Sequence, residues 1–192
     1  MVLIRLFGIN IYISYFFLSL VSILIIVDKT GMLSLSLLSV VFHEIGHLAF
    51  MKILKVGVSK VELSVASVRV VTDGYNNHKN YFIVSIAGPI VNLCLSVFLL
   101  SSDEMLMYFG AANLIMCLFN MIPARGLDGG DAIYYLLRSI KIKSADKICS
   151  YVSFVSQLLL IAAGGVLFYY TKTNITLMLV GIYLFILSFY KI

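Results

Sequence analysis

Three titratable side chains, His43, Glu44 and His47, lie inside a long apolar stretch of the sequence. Residues four apart on a helix are separated by about 400°, so the two imidazoles project from one face and can bind a single zinc ion. Glu44 projects about 100° away from His43, which suits a base acting on water better than a third ligand. An ionised group at bilayer depth costs about 2.5 to 3.5 kcal/mol, so this cluster needs a compensating partner such as a cation.

A third protein ligand is required, because a catalytic zinc site takes three and leaves one position open. Apart from the HExxH stretch and the predicted external loops, the acidic residues close to an apolar segment are Asp128 and Asp131. Pro123 precedes them and ends or bends a helix. The glycines that permit unusual backbone dihedrals here are Gly126, Gly129 and Gly130. We therefore predict a re-entrant loop, buried against protein, that brings Asp128 to the histidine pair.

The rest of the chain must hold these residues in a lipid bilayer. The 192 residues are 61% hydrophobic and 12% charged, with a mean hydropathy of +1.05, which excludes a soluble globular domain. Six apolar stretches approach the roughly 20 residues of a spanning helix. They are Ile11–Val27, Met32–Leu54, Tyr81–Leu100, Met105–Ile122, Tyr151–Tyr170 and Ile175–Tyr190. We predict an all-α polytopic membrane protein with six transmembrane helices in a single domain, residues 1–192.

The 14 Lys and Arg residues predict the orientation of these helices. With a cytoplasmic N-terminus, twelve of them are cytoplasmic and only Lys29 and Lys172 are external. Both termini of this multi-pass cell-membrane protein should then be cytoplasmic, with His43 and His47 in the cytoplasmic half of the bilayer. The net charge of +5 is spread over segments beside anionic headgroups of the lipid bilayer, which does not indicate nucleic-acid binding.

Two connections are long enough to have structure of their own. Alternating residues between 55 and 80 predict two short strands with a turn near Ala66-Ser67, a cytoplasmic β-hairpin whose edge could accept an extended peptide. The apolar members of the pattern are Val61, Leu63, Val65, Val68 and Val70. The second connection, from about Asp131 to Ser150, mixes apolar and basic residues and predicts a partly helical segment at the interface. A hairpin that only closes the fold and a plain linker are the alternatives.

Three motifs together resemble those of the site-2 proteases, which are intramembrane zinc metalloproteases. HEIGH at residues 43–47, GPIVN at 88–92 and NMIPARGLDGG at 120–130 match HExxH, GPxxN and NxxPxxxLDGG. The motif residues beside the catalytic positions are Gly46, Gly88, Pro89, Pro123, Leu127, Gly129 and Gly130. The catalytic core would span about residues 33–132. Six helices without a PDZ insertion resemble the compact bacterial branch that includes the stage IV sporulation protease FB, which cleaves a membrane-bound pro-sigma factor.

The resemblance implies that His43, His47 and Asp128 bind Zn²⁺ and that Glu44 is the catalytic acid/base. It also implies that Asn92 and Asn120 support the substrate or the developing oxyanion. The implied activity is hydrolysis of a peptide bond in or near the transmembrane segment of a membrane-anchored substrate with an unwound helix, such as a pro-sigma or anti-sigma factor. Regulatory membrane partners would fit this role.

Two other functions could use the same residues. A zinc-conducting transporter could place intramembrane His and Asp residues at a transit site, but transporters usually have related halves and this sequence shows none. A catalytically inactive sequestration protein would need no acid/base, but every catalytic position is filled. Glu44 distinguishes a protease from a transporter, because only proteolysis requires its carboxylate.

Overall fold

Seven α-helices and a four-stranded sheet form the described part of a computed structural model, residues 1–6, 9–63, 68–72 and 77–190. The helices are α1 (Tyr15–Val27), α2 (Met32–Ile53), α3 (His78–Leu95), α4 (Glu104–Asn120), α5 (Asp128–Ser139), α6 (Ala145–Thr171) and α7 (Thr176–Tyr190). A short 3₁₀ helix, Ser96–Leu100, continues α3. The strands are β1 (Val2–Leu6), β2 (Ile9–Ile13), β3 (Val58–Leu63) and β4 (Val68–Thr72).

Each of the six predicted spans contains an apolar helix, but the helices differ in length. Within the described residues, three are long and apolar enough to cross a membrane: α2, α3 with its 3₁₀ extension, and α6. The helices α1, α4 and α7 are shorter. The 13 residues of α1 rise only about 20 Å, less than the roughly 30 Å of a hydrocarbon core. The membrane class is thus confirmed, with three candidate spans among the described residues, and six spans stay a prediction.

The outer surface is apolar and the interior is partly polar, as expected for helices in lipid. Helix α1 has no buried residue, and its Phe16 side chain is 72% exposed. By contrast, Asn92, Asn113 and Gln157 are among the most completely buried side chains of the described chain. Lipid supplies no hydrophobic force between helices, which therefore associate through close packing and hydrogen bonds. Gln157 of α6, for example, donates to the carbonyl oxygen of Leu184 in α7 at 3.1 Å.

The four strands form one sheet in the order β1-β2-β3-β4. The two outer pairs are antiparallel, and the central pair, β2 and β3, is parallel. Strands β3 and β4 confirm the predicted hairpin, whereas its predicted turn at Ala66-Ser67 lies outside the described residues. Because one sheet contains both the N-terminal strands and the α2–α3 connection, these two segments lie at the same end of the helices.

The two N-terminal strands are a correction to the predicted first span. That span was expected to begin at Ile11, but residues 9–13 form β2 and the helix begins only at Tyr15. Asn10 is the only strongly polar residue of β2, and the isoleucines of this strand are followed almost directly by the apolar residues of α1. Hydropathy therefore does not separate the strand from the helix. The parallel partner of Asn10 is Lys60, which is distant in the sequence and gives no local signal.

The segment after α4 also departs from the predicted re-entrant loop. The irregular backbone covers residues 121–127, and Asp128 is already the first residue of α5. The LDGG motif is therefore the start of a helix rather than a loop. Helix α4 ends at Asn120, shortly before Pro123, as predicted. Of the three glycines expected to have unusual dihedrals, only Gly126 has a positive φ, 92°.

The predicted interfacial segment from Asp131 to Ser150 divides between two helices. Helix α5 extends to Ser139 and is amphipathic, with Arg138 in its last turn. Helix α6 begins at Ala145, earlier than the predicted Tyr151. The first turns of α6 are polar, so a hydropathy window excludes them although they are helical.

Candidate metal centre

Two imidazoles and a carboxylate from α2 and α5 converge on one point. The Nε2 atoms of His43 and His47 lie 2.9 Å and 3.3 Å from Oδ2 of Asp128, and 3.2 Å from each other. His43 is buried, and His47 and Asp128 are half-buried. The structure thus brings together the histidine pair and the distant aspartate that the sequence suggested.

These separations suit one shared zinc ion. Zinc binds imidazole nitrogen and carboxylate oxygen at about 2.0 to 2.2 Å, and neighbouring ligand atoms of a tetrahedron are then about 3.3 Å apart. The three potential ligand atoms all lie within 4.8 Å of one another. Two imidazoles and one carboxylate are also an ordinary ligand set for catalytic zinc, which keeps a fourth position open.

The tautomer of each histidine directs Nε2 towards this point. His47 Nδ1 lies 2.8 Å from the carbonyl oxygen of Val84, which can only accept, so Nδ1 carries the proton. Asn92 Nδ2 donates to the carbonyl oxygen of Ser39 at 3.4 Å, which orients the amide and leaves its oxygen towards His43. His43 Nδ1 accordingly donates to Asn92 Oδ1 at 3.1 Å. Both Nε2 atoms therefore present lone pairs to the carboxylate.

The carboxylate itself shows the need for a cation. Asp128 Oδ2 is buried and makes no directed hydrogen bond within the described part of the chain, although two imidazole nitrogens lie beside it. Three acceptor atoms that face one another repel unless a positive charge lies between them. The residues present therefore fit a zinc ion.

Helix α3 covers one side of the site, and two glycines, Gly46 on α2 and Gly88 on α3, allow the two helices to approach closely. A Cβ atom added at Gly88 would overlap His47 Nε2 and lie 2.9 Å from His43 Cε1. A Cβ atom added at Gly46 would lie 3.0 Å from the Ala87 oxygen and 3.1 Å from Gly88 Cα. The backbone of α3 thus touches the histidine helix directly, and only residues without a side chain permit this crossing.

We expect Gly88→Ala to weaken zinc binding by at least about ten-fold, because the new methyl group must displace an imidazole. Competition with a chromogenic chelator on the purified protein measures this affinity. Gly165→Ala in α6 is the matched control, since its added Cβ meets nothing within 4 Å and zinc affinity should not change. Equal zinc affinity in the two variants would contradict this account of the helix crossing.

Two further glycines allow α5 to start immediately beside the end of α4. A Cβ atom at Gly129 would overlap the carbonyl oxygen of Met121, and one at Gly130 would overlap that of Ala124. The glycines of the LDGG motif are therefore needed for close approach of backbone to backbone. Asp128 can reach the histidines because this turn is so tight.

The irregular residues before Asp128 are held by α6 and α7. The backbone N–H group of Arg125 donates to Ser153 Oγ of α6 at 2.8 Å. This hydrogen bond satisfies a backbone donor that lies outside any helix. Ala124 and Leu127 are buried against Leu184 of α7. The aspartate therefore projects from a supported segment.

The remaining predicted site residues occupy different surroundings. Glu44 follows His43 on α2 and is half-buried. Asn92 is completely buried beside His43. Asn120 is the last residue of α4, and its Nδ2 atom donates to the carbonyl oxygen of Met116 in the same helix at 3.1 Å.

Sequence reasoning missed two buried polar residues behind His43. Ser39 of α2 accepts a hydrogen bond on Oγ from Asn113 Nδ2 of α4 at 3.0 Å. A usable signal existed, because a carboxamide in the middle of an apolar stretch is costly in lipid unless it has partners.

The fold is that of a site-2 protease. The chain superposes on the site-2 protease from Methanocaldococcus jannaschii with a TM-score of 0.60 and 23% sequence identity, covering 97% of this chain and 94% of that chain. The match establishes the fold over nearly the whole length and does not assign the chain to a branch. No family model matches the sequence, and no curated protein matches it.

Proposed function

We propose that the protein is a zinc-dependent intramembrane endopeptidase that cleaves a peptide bond in or near the transmembrane segment of a membrane-anchored protein. The observation that supports this function is the convergence of His43, His47 and Asp128 on one point. A similar fold in a site-2 protease agrees with it. Zinc, when bound, supplies Lewis-acid chemistry that activates water and polarises a peptide carbonyl.

The side chains of this site have separate roles in the proposed reaction. His43, His47 and Asp128 hold the metal, with the histidine tautomers set by their Nδ1 partners. Glu44 takes the proton of the attacking water and returns it to the leaving amine. The motif resemblance gives Asn120 the role of a donor to the developing oxyanion, which would require its hydrogen bond to Met116 to break.

The proposed substrate is a membrane protein with a locally unwound helix, such as a pro-sigma or anti-sigma factor. An extended segment needs partners for its backbone, and the sheet offers them at its free edges. Strand β3 is paired on both sides, so among the described strands the free edges belong to β4 and β1. Strand β3 begins shortly after α2 ends, which keeps the sheet near the end of α2 that carries His47. We propose β4 as the strand to which the substrate adds.

A proline in β4 should slow cleavage without changing zinc affinity. Successive N–H groups of a strand point to opposite edges of the sheet. Proline lacks an N–H group, so one of the variants Val70→Pro and Val71→Pro removes a donor from the free edge of β4, and the other removes a donor to β3. Each lost hydrogen bond costs about 1 kcal/mol, so we expect about a five-fold lower kcat/KM or more. Leu3→Pro is the comparison variant, because it changes β1, the strand at the other free edge of the sheet. Unchanged cleavage in both β4 variants would reject this docking strand.

We propose that both termini and the sheet are cytoplasmic and that the metal centre lies in the cytoplasmic half of the bilayer. The distribution of Lys and Arg supports this orientation. The sheet joins the N-terminus to the α2–α3 connection at one end of the helices, as the orientation requires. His47 lies about 9 Å along the axis from the last residue of α2, which is close enough to this end for water to enter.

Reconstitution in liposomes tests the proposed function. The purified protein is combined with membrane-anchored pro-sigma and anti-sigma regulators, then treated with a zinc chelator and resupplied with zinc. We expect cleavage that stops with the chelator and returns with zinc. Zinc flux across the liposome membrane without cleavage of any regulator would instead favour the transporter.

A further inference from the structure

Both the oxygen and the nitrogen of the Asn92 side-chain amide form hydrogen bonds inside the protein. Its side chain is 0% exposed. Its Oδ1 atom accepts from His43 Nδ1 at 3.1 Å, and its Nδ2 atom donates to the carbonyl oxygen of Ser39 at 3.4 Å. The amide is therefore directed at α2 and is covered from any substrate.

Ser39 joins three helices one turn before His43. Its side chain is 1% exposed, and its Oγ atom donates to the carbonyl oxygen of Leu35 at 3.1 Å while it accepts from Asn113 Nδ2 at 3.0 Å. Asn113 Nδ2 also donates to the carbonyl oxygen of Phe109 at 2.8 Å, within α4. Together, Ser39, Asn92 and Asn113 connect α2, α3 and α4 through buried hydrogen bonds.

We propose that Asn92 is a positioning residue for the zinc ligand His43, supported by Ser39 and Asn113, in place of the substrate or oxyanion role that the motif resemblance suggested. By accepting from Nδ1, Asn92 keeps the proton on that nitrogen and leaves Nε2 free to bind the metal. Partners of this kind orient the ring of a ligating histidine, and their loss typically costs about 10 to 100-fold in metal affinity. The inference rests on the proposed zinc site but not on any particular substrate.

Zinc affinity of the Asn92 variants separates the two roles. Asn92→Leu has a similar size and no acceptor, so we expect zinc to bind about 10 to 100-fold more weakly, with an altered visible spectrum of the Co²⁺-substituted protein. Asn92→Ala carries the same expectation if the leucine variant does not fold. Asn92→Asp keeps an acceptor for His43 and should bind zinc within a few-fold of wild type. Ser39→Ala should have a smaller effect than Asn92→Leu, because the Ser39 carbonyl oxygen remains.

Gln157→Leu is the matched control for the loss of a buried carboxamide. Gln157 is also 0% exposed, but it donates to Leu184 in the α6–α7 pair. This variant should melt at a lower temperature and bind zinc like wild type. Wild-type zinc affinity and Co²⁺ spectrum in Asn92→Leu, with a reduced kcat, would overturn the proposal and restore the oxyanion role. A wild-type protein that binds no zinc would overturn the metal site itself.

Discussion

Replacing Glu44 with glutamine is expected to reduce peptide hydrolysis by about 10² to 10⁴-fold while zinc affinity stays close to that of wild type. The amide has nearly the shape of the carboxylate but cannot take a proton from water. Glu44 follows His43 on α2, is half-buried and is not one of the three converging residues. Cleavage of a membrane-anchored substrate in liposomes and a parallel zinc titration measure the two quantities.

Glu104→Gln provides the control for the charge change. Glu104 is exposed in the first turn of α4, so this variant should cleave and bind zinc normally. Full activity in Glu44→Gln would remove the acid/base from the mechanism. Loss of zinc from Glu44→Gln would instead make Glu44 a ligand.

Replacing Asp128 with alanine is expected to abolish zinc binding and proteolysis together. Asp128 Oδ2 lies 2.9 Å and 3.3 Å from the two histidine Nε2 atoms, so its loss removes one of three ligands and the negative charge of the site. Zinc affinity should fall by more than the about 10 to 100-fold that an outer-sphere partner costs. Metal analysis after dialysis, together with the liposome assay, measures both effects.

Asp131→Ala is the matched control on the same helix. Asp131 is exposed one turn further along α5, so its replacement also removes a carboxylate from the first turns but should leave zinc bound. If Asp128→Ala retained zinc as firmly as Asp131→Ala, the third ligand would have to lie elsewhere.

The cluster of side chains that could hold a metal ion was predictable from the sequence because its main signals are local. The spacing of His43 and His47 places both on one face of a helix, whatever the rest of the fold does. Asp128 was identified because acidic residues near an apolar stretch are few. The close approach of α3, which requires Gly88, involves contacts between distant parts of the chain and had no signal beyond the motif.

The errors in the predicted elements share one physical cause, which is contact between residues in different elements. Strand β2 pairs with β3 far along the chain, and hydropathy cannot report a pairing between distant residues. Gly126, Gly129 and Gly130 suggested an irregular loop, but only Gly126 has a positive φ. Gly129 and Gly130 instead allow the start of α5 to approach the backbone of Met121 and Ala124. A carboxamide such as Asn113 can be noticed in an apolar stretch, but its partner on another helix, Ser39, is evident only from the structure.

Zinc K-edge X-ray absorption on the protein in lipid, loaded with one equivalent of zinc, tests the metal site most directly. We predict a first shell of nitrogen and oxygen at about 2.0 to 2.2 Å, with outer-shell scattering from two imidazoles and no sulfur. A sulfur shell at about 2.3 Å from one of the three cysteines, or scattering without two imidazoles, would contradict the assignment of His43, His47 and Asp128.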